Sequence, residues 1–486
     1  MIRLFVCKFP EAFFFLSLFF LGGAFFIDTF WFLVFVGFIP LFYLLDRTTR
    51  KVRLAVALIF GAAYAEFLGF PFFSLSTINS IPLSGEIRAW AMGGIFLYLF
   101  INGILAGLLL WSAFAFFKRP YLRVCAVVIA WVIFETILIK INNGAQWGMI
   151  GESLVPFRLF RIWARAGGVP LLSAIVLLVN ITLYEGSKYF FASRKPQFTA
   201  RVIIAFAPLF LIVISFFGGG VFMLSRDKGG GMTKGPLRIA IVQSNYHGLW
   251  SLEYYTNLQD SSRELIERSL PDQVDLLVYP SLYMGFLKKD EITPALLQKA
   301  FGDVFLHAQR IIFGFSLVEN DGRIYSAEAI ADKEGILELR KKEKLFFLSD
   351  YTPSFVQKLI PSLRQYALSY SSSALASQRS WFELPQGRVA TLICNEGLVP
   401  ELARRAVDEG GGLVIISGSD ADFSNSLIHR ETLRMARIRA VENNAYVAQA
   451  MKTGISAIID PQGEVKKFIG KDEQDILVYE IPKVSP

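Results

Sequence analysis

Cysteine and histidine are scarce in this chain, at three residues each among 486. The histidines, His247, His307 and His429, stand far apart, and no Cys/His cluster has metal-ligand spacing. That pattern excludes a zinc site, and nothing in the sequence calls for another metal or a cofactor. Cys7 and Cys125 fall beside or inside apolar segments, so a disulfide framework is also excluded. Charge is sparse as well, with Asp, Glu, Lys and Arg making up 19% of the residues. The formal charge of +8 invites a nucleic-acid reading. Many of the basic residues, however, sit in short connections between apolar segments, which is membrane topology and not a nucleic-acid surface. No A-x-A-like cleavage site follows the first apolar run, and a second run begins at once, which excludes a removed signal peptide.

Apolar residues are what the chain has in excess: 53% are hydrophobic and 46 are Phe. They concentrate before residue 225. A bilayer core needs roughly 20 apolar residues in a helix. Seven segments meet that length: 11–27, 29–45, 54–74, 90–117, 121–139, 167–185 and 202–223. Basic residues mark alternate connections, with Arg3 and Lys8 before the first span and Arg47, Arg50, Lys51 and Arg53 after the second. Lys118, Arg119 and Arg123 follow the fourth, and Lys188, Arg194, Lys195 and Arg201 the sixth. The positive-inside rule then puts the N-terminus in the cytoplasm and everything after residue 224 on the other side. The 140–166 connection mixes basic residues with Trp147, Phe157, Phe160 and Trp163, as a segment at headgroup level does.

The expected domains are residues 1–224, a polytopic α-helical membrane domain, then a Gly-rich linker at 225–236, then a globular domain over 237–486. In the last, short buried strands are expected at 237–245, 274–281, 310–317, 324–332, 388–394, 412–417, 446–451 and 456–460. Helices are expected at 251–269, 293–308, 399–408 and 429–443. This alternation is that of a layered α/β domain, whose sites gather where strands end. Cys394 is at such an end, in Leu392-Ile393-Cys394-Asn395-Glu396. A free cysteine often packs as an inert small hydrophobe, and position alone leaves that reading open beside a nucleophile.

Several ordered motifs bear on the choice. They are Val242-Gln243-Ser244-Asn245, then Lys342 with Asp350-Tyr351-Thr352-Pro353 downstream, and Ile393-Cys394-Asn395-Glu396. Ser419-Asp420-Ala421, Met435-Ala436-Arg437-Ile438-Arg439-Ala440-Val441-Glu442 and Thr453-Gly454-Ile455-Ser456 follow, and Gln146-Trp147 to Gly151 lies upstream. Together they resemble the apolipoprotein N-acyltransferases, bacterial inner-membrane enzymes with an extracytoplasmic nitrilase-like domain, over nearly the whole chain. The resemblance implies about seven membrane helices followed by an αββα carbon-nitrogen-hydrolase domain on the periplasmic face. It implies Cys394 as nucleophile and Lys342 as the group that stabilises thiolate and oxyanion. It implies a thioester drawn from a phospholipid and passed to the α-amine of a diacylglyceryl-cysteine on an apolipoprotein. Trp147 and Trp250 are candidate substrate contacts.

The resemblance also marks departures. The family's general-base Glu follows Pro at the end of the second strand, where this chain has Tyr279-Pro280-Ser281. Ser281 cannot accept a proton as a carboxylate does near neutral pH. Glu396 and Asp350 are the supporting carboxylates expected nearest Cys394, and the candidates for an altered proton acceptor. Phe347-Leu348-Ser349, Asn395 and Asp422 also differ from the family pattern, as does a sequence ending at Pro486 without a further membrane helix. The alternatives are an impaired homologue that binds lipid or lipoprotein without efficient transfer, and a membrane-anchored amidase, for which one span would suffice.

Overall fold

The computed structural model describes residues 10–69, 85–192, 214–224, 232, 234–246, 252–270, 272–346, 350, 358, 381–420 and 426–483. Trp250, Asp422, residues 347–349, Arg3, Lys8 and most of the expected linker lie outside them. The chain divides into two compact units, a helical one and a strand-rich one.

The helical unit holds α1 (Pro10–Phe26), α2 (Ile39–Arg47), α3 (Arg50–Gly69), α4 (Gly85–Phe116), α5 (Pro120–Ile141) and α6 (Ala164–Ala192). A further helix, α7, runs Ile214–Leu224. Among the described residues four stretches are long and apolar enough to cross a membrane: Asp28–Arg47, Met92–Phe116, Pro120–Ile141 and Ala164–Lys188. Pro10–Phe26 and Ile214–Leu224 are apolar but shorter. The count of seven is thus met in part. α3 opens on Arg50, Lys51 and Arg53, and residues 70–74 and 202–213 lie outside the described set.

Two polar side chains buried among these helices, Asn180 and Glu135, make hydrogen bonds inside the unit, as an apolar solvent favours. Asn180 bridges the Val34 carbonyl and the Phe38 amide, both at the break that precedes α2. Glu135 Oε1 accepts from Trp131 Nε1, Ser173 Oγ and the Ile150 amide. Helices α3 and α4 cross at glycines: a Cβ on Gly61 would stand 2.0 Å from the Gly103 carbonyl oxygen, so the backbones touch as small-residue interfaces allow.

The strand-rich unit is a sandwich. One sheet runs β13-β1-β2-β4-β5-β6, with β3 paired on β4, and the other runs β12-β11-β10-β9-β8-β7. The strands are β1 Leu237–Gln243, β2 Val274–Val278, β3 Phe286–Lys288, β4 Ala308–Val318, β5 Ile324–Asp332, β6 Gly335–Lys341, β7 Trp381–Leu384, β8 Gly387–Ile393, β9 Gly411–Gly418, β10 Tyr446–Met451, β11 Ser456–Ile459, β12 Val465–Ile469 and β13 Asp475–Ile481. Between the sheets, Ile239, Ile241, Leu276, Val278 and Ile312 meet Val389, Leu413, Ile415 and Ile458. Helices α8 (Leu252–Ser269) and α9 (Pro294–Phe301) cover the outer face of the first sheet, with Leu258, Ile266 and Phe301 against Val242, Leu277 and Phe313. Helices α10 (Pro400–Asp408) and α11 (Ser426–Asn443) cover the second, with Leu402 and Ala440 against Leu392 and Val414. Central strands are therefore buried on both faces, which is why they read as unbroken apolar runs.

This is the expected αββα order of layers, with local differences. The helix expected over 293–308 ends at Phe301, and a 3₁₀ turn over Asp303–Leu306 follows. Strands β3, β6, β7, β12 and β13 were not expected. Met232, within the segment read as linker, is buried and bridges to Lys483.

Candidate active site

Three strands are each followed by a turn through a residue with positive φ: Asn245 after β1, Leu282 after β2 and Cys394 after β8. Cys394, at φ 55°, occupies the left-handed region that a cysteine adopts only under local constraint, at a cost of roughly 1–3 kcal/mol. The Glu396 carboxylate supplies that constraint. Its Oε2 accepts from the Ile393 amide at 2.9 Å and from Arg340 Nη2 at 2.8 Å, and its Oε1 accepts from the amides of Glu343 (2.7 Å) and Lys344 (3.2 Å). Burial works against this carboxylate, but Arg340, these amides and Lys342 together hold its pKa below the ordinary value. Glu396 therefore ties the turn after β8 to the chain leaving β6.

That chain carries Lys342. Its amide donates to the Ser326 carbonyl at 2.7 Å, and its Nζ donates to both oxygens of Asp350, at 2.8 and 2.7 Å. Burial alone would lower the lysine's pKa. Asp350, the Cys394 sulfur and Glu396 raise it, and the net direction is upward, so the ammonium persists although the side chain is buried. The thiol feels the reciprocal effect. Burial pushes the Cys394 pKa up, Lys342 pulls it down, Asp350 pushes it up, and the Ser419 and Asn395 amides pull it down; the net direction is upward. A resting thiol beside a fixed positive charge can become a thiolate once its proton has somewhere to go.

The remaining motifs frame this centre. Asp420 accepts from the amides of Thr453 and Gly454, each at 3.1 Å, and lies 2.8 Å from His429 Nδ1. Gln243 Oε1 accepts from the Ser456 amide at 3.1 Å, and its Nε2 donates to the carbonyls of Gly470 and Glu473. The Gln243 and Thr453-to-Ser456 strings thus fasten strand ends together.

The structure brings Cys394, Lys342, Asp350 and Glu396 together. Ser281 is buried beyond β2, and its hydroxyl has no hydrogen-bond partner among the described residues. Its backbone lies on Gly314 of β4, where a Cβ would come within 2.9 Å of the Ser281 Cα. Trp147 belongs to the helical unit. Sequence reasoning missed Arg340, which anchors Glu396, and Glu328, whose buried carboxyl accepts a hydrogen bond from Ser417. A signal for Glu328 was present: it is the one charged residue inside Tyr325-Ser326-Ala327-Glu328-Ala329-Ile330-Ala331, an otherwise small and apolar strand.

Residues 238–485 match the family model for carbon-nitrogen hydrolases, just over half of the chain. The chain belongs to the carbon-nitrogen hydrolase family. Within that family it carries a distinctive first half, for residues 13–182 match the apolipoprotein N-acyltransferase N-terminal domain. An apolipoprotein N-acyltransferase from Geobacter metallireducens is 24% identical over 460 residues, spanning 92% of this chain and 85% of that protein. One from Aquifex aeolicus is 24% identical over 404 residues, spanning 79% of this chain and 81% of that protein. Among solved structures, Saccharomyces cerevisiae Nit3, described as a member of branch 10 of the nitrilase superfamily, aligns with 51% of this chain and 90% of its own. That alignment has 18% identity and a TM-score of 0.38.

Proposed function

We propose that this carbon-nitrogen hydrolase family member moves an acyl chain from a phospholipid to the N-terminal α-amine of a diacylglyceryl-cysteine on apolipoproteins. The observation that carries the reading is the union, in one chain, of a helical half like that of apolipoprotein N-acyltransferases with a sandwich whose thiol stands beside a buried lysine. Cys394 attacks the ester carbonyl, and its thioester holds the acyl group. Lys342 neutralises the thiolate and then the oxyanion, an interaction whose value rises in a site shielded from water. Asp350 holds the lysine's ammonium in place through both of its oxygens. Glu396 sets the backbone turn that presents the sulfur.

The apolar helices keep both substrates' acyl chains in their own solvent, while the charge pattern of the connections puts the N-terminus in the cytoplasm and the sandwich outside the inner membrane. The test is an assay with phospholipid vesicles and a diacylated lipopeptide. We expect a triacylated product, and an acyl-chain mass shift on the intact protein. Both vanish in Cys394→Ala, with a loss of at least about 10⁴-fold, as for other deleted nucleophiles. Product formation undiminished in that variant refutes the reading. A wild-type protein that binds vesicles but gives neither product nor adduct is the impaired homologue instead.

A further inference from the structure

Among the described carboxyl groups of this part of the sandwich, Glu328 is bonded to neutral hydroxyls and not to a cation or to backbone amides. Asp350 gives both oxygens to Lys342, Glu396 is taken by Arg340 and three backbone amides, and Asp420 is taken by His429, Thr453 and Gly454. Glu328 differs from all three. It is fully buried, its Oε1 accepts from Ser417 Oγ, the Thr391 hydroxyl stands beside it, and among the described residues no cation is hydrogen-bonded to it. Burial lifts its pKa to about 7, with the Ser417 hydroxyl, Arg340 and Thr391 pulling down and Glu396 pushing up. Arg340 faces it from β6 and Glu396 from the turn after β8.

Its place in the fold matters more. Pairing sets Glu328 of β5 opposite Gly314 of β4 and opposite Arg340 of β6. Residues directly opposite share a sheet face, with Cβ positions about 5 Å apart. Gly314 is the residue on which Ser281 lies, so Glu328 and Ser281 flank one spot on one face. Across the sandwich, Ser417 is the register partner of Ile393, the residue before Cys394. Glu328 therefore joins the position that lost a carboxylate to the strand end that carries the thiol.

We propose that Glu328 is the proton acceptor for Cys394, acting through one water and replacing the carboxylate that Ser281 cannot supply. The inference rests on the acyl-transfer reading above. The S–H bond breaks and its proton passes through the water to the Glu328 carboxylate, a reach that general bases use. The thiolate adds to the ester carbonyl, the ester C–O bond breaks, and the Glu328 acid returns its proton to the departing lysophospholipid oxygen. In the second half, the acceptor amine adds to the thioester and gives its proton to Glu328. The C–S bond then breaks, and the proton returns to sulfur. The carboxylate ends each half as it began. Ser281 Oγ, buried without a partner among the described residues, and the buried Glu328 carboxyl are two of the polar groups such a water needs.

The test uses the full-length protein in detergent. Alkylation of Cys394 by iodoacetamide is followed on its peptide from about pH 5 to 9, and acyl-enzyme formation from phosphatidylethanolamine vesicles is followed by intact mass. Wild-type alkylation should show an inflection near the Glu328 value of about 7. E328Q should erase that inflection and slow acyl-enzyme formation by about 10²-fold or more. Adding Ser281→Glu to E328Q should recover at least about tenfold of the loss. A purely structural role for Glu328 would shift the melting temperature but leave the inflection in place and give Ser281→Glu nothing to rescue. An E328Q profile that superimposes on wild type overturns the proposal. If E328Q does not fold, Glu328→Asp is read instead, where a displaced inflection supports the proposal and an unmoved one overturns it. If wild type forms no acyl-enzyme, the acyl-transfer reading falls, and the alkylation profile still decides the role of Glu328.

Discussion

On the Lys342 side of Cys394 each buried charge meets an opposite charge at hydrogen-bond distance, Lys342 with Asp350 and Arg340 with Glu396. On the Ser281 side the buried polar groups meet no opposite charge at hydrogen-bond distance: among the described residues the Ser281 hydroxyl has no partner, and the Glu328 carboxyl meets the hydroxyls of Ser417 and Thr391. Both sides lie in the same sandwich, so burial alone does not explain the contrast. The first side holds a charge in place through the reaction. The second side must change its protonation during the reaction, and a carboxyl locked to a cation could not do so. A site that fixes one charge and moves one proton needs both kinds of surroundings.

The sharpest way to break the contrast is Lys342→Met, which strands Asp350 without its cation. We expect acylation of Cys394 to fall by about 10²–10³-fold, and stability to fall by about 3–5 kcal/mol because a buried charge loses its partner. Acyl-adduct kinetics and chemical denaturation report the two losses. A variant that keeps wild-type stability would mean that the pair is not buried as described.

Glu396→Gln comes next, at about 3 kcal/mol from the same cause but with one charge-assisted bond surviving as an amide contact. It also carries a pH signature. Glu396 is held below 4.5 in the fold, so its stabilisation is present above the unfolded value and is lost as pH falls through the folded one. The variant should flatten the acid limb of a stability-against-pH curve. Glu328 runs the other way. Its carboxyl titrates at about 7 in the fold against 4.5 when free, so between those values the fold retains a proton that the unfolded chain has released. Stability is full below pH 4.5 and declines towards pH 7, by about 3 kcal/mol in all. E328Q should abolish that decline and melt higher than wild type at about pH 8 while being the poorer catalyst, which sets the two sides of the thiol directly against each other. Smallest is Ser281→Ala, whose missing hydroxyl takes one contact from the proposed water and none from a described residue; its stability should change by less than about 1 kcal/mol in thermal melts.

The fold was legible where strands are buried on both faces. Leu237 to Gln243 and Gly411 to Gly418 read as apolar runs because helices cover one side and the other sheet covers the second. Strands β6, β12 and β13 were not, because Leu337, Glu338, Lys466, Lys467 and Glu480 leave one face wet and dilute the pattern. Cys394 and Lys342 were legible as members of a spaced set of motifs. Glu328 and Arg340 were not, since what pairs them is register across β5 and β6, a relation between residues that a linear reading does not compute. The likeness also drew attention to Asp350 and Glu396 as spare carboxylates, and only the hydrogen bonds show that both are occupied.

The antiparallel pairing of β1 with β13 has a kinetic side. The strand that opens the sandwich finds its edge partner only when Asp475 to Ile481 has been made, so the pairing closes one of the longest loops the domain contains, and contacts of such sequence separation form slowly. Gln243, at the end of β1, is the residue that grips Gly470, Glu473 and Ser456. Two of those partners, Gly470 and Glu473, lie just ahead of β13, so the grip draws on the same late stretch of chain as the strand pairing. Lys342 and Cys394 both precede that stretch, so the thiol and the charge beside it are made before the pairing that closes this edge of the sheet.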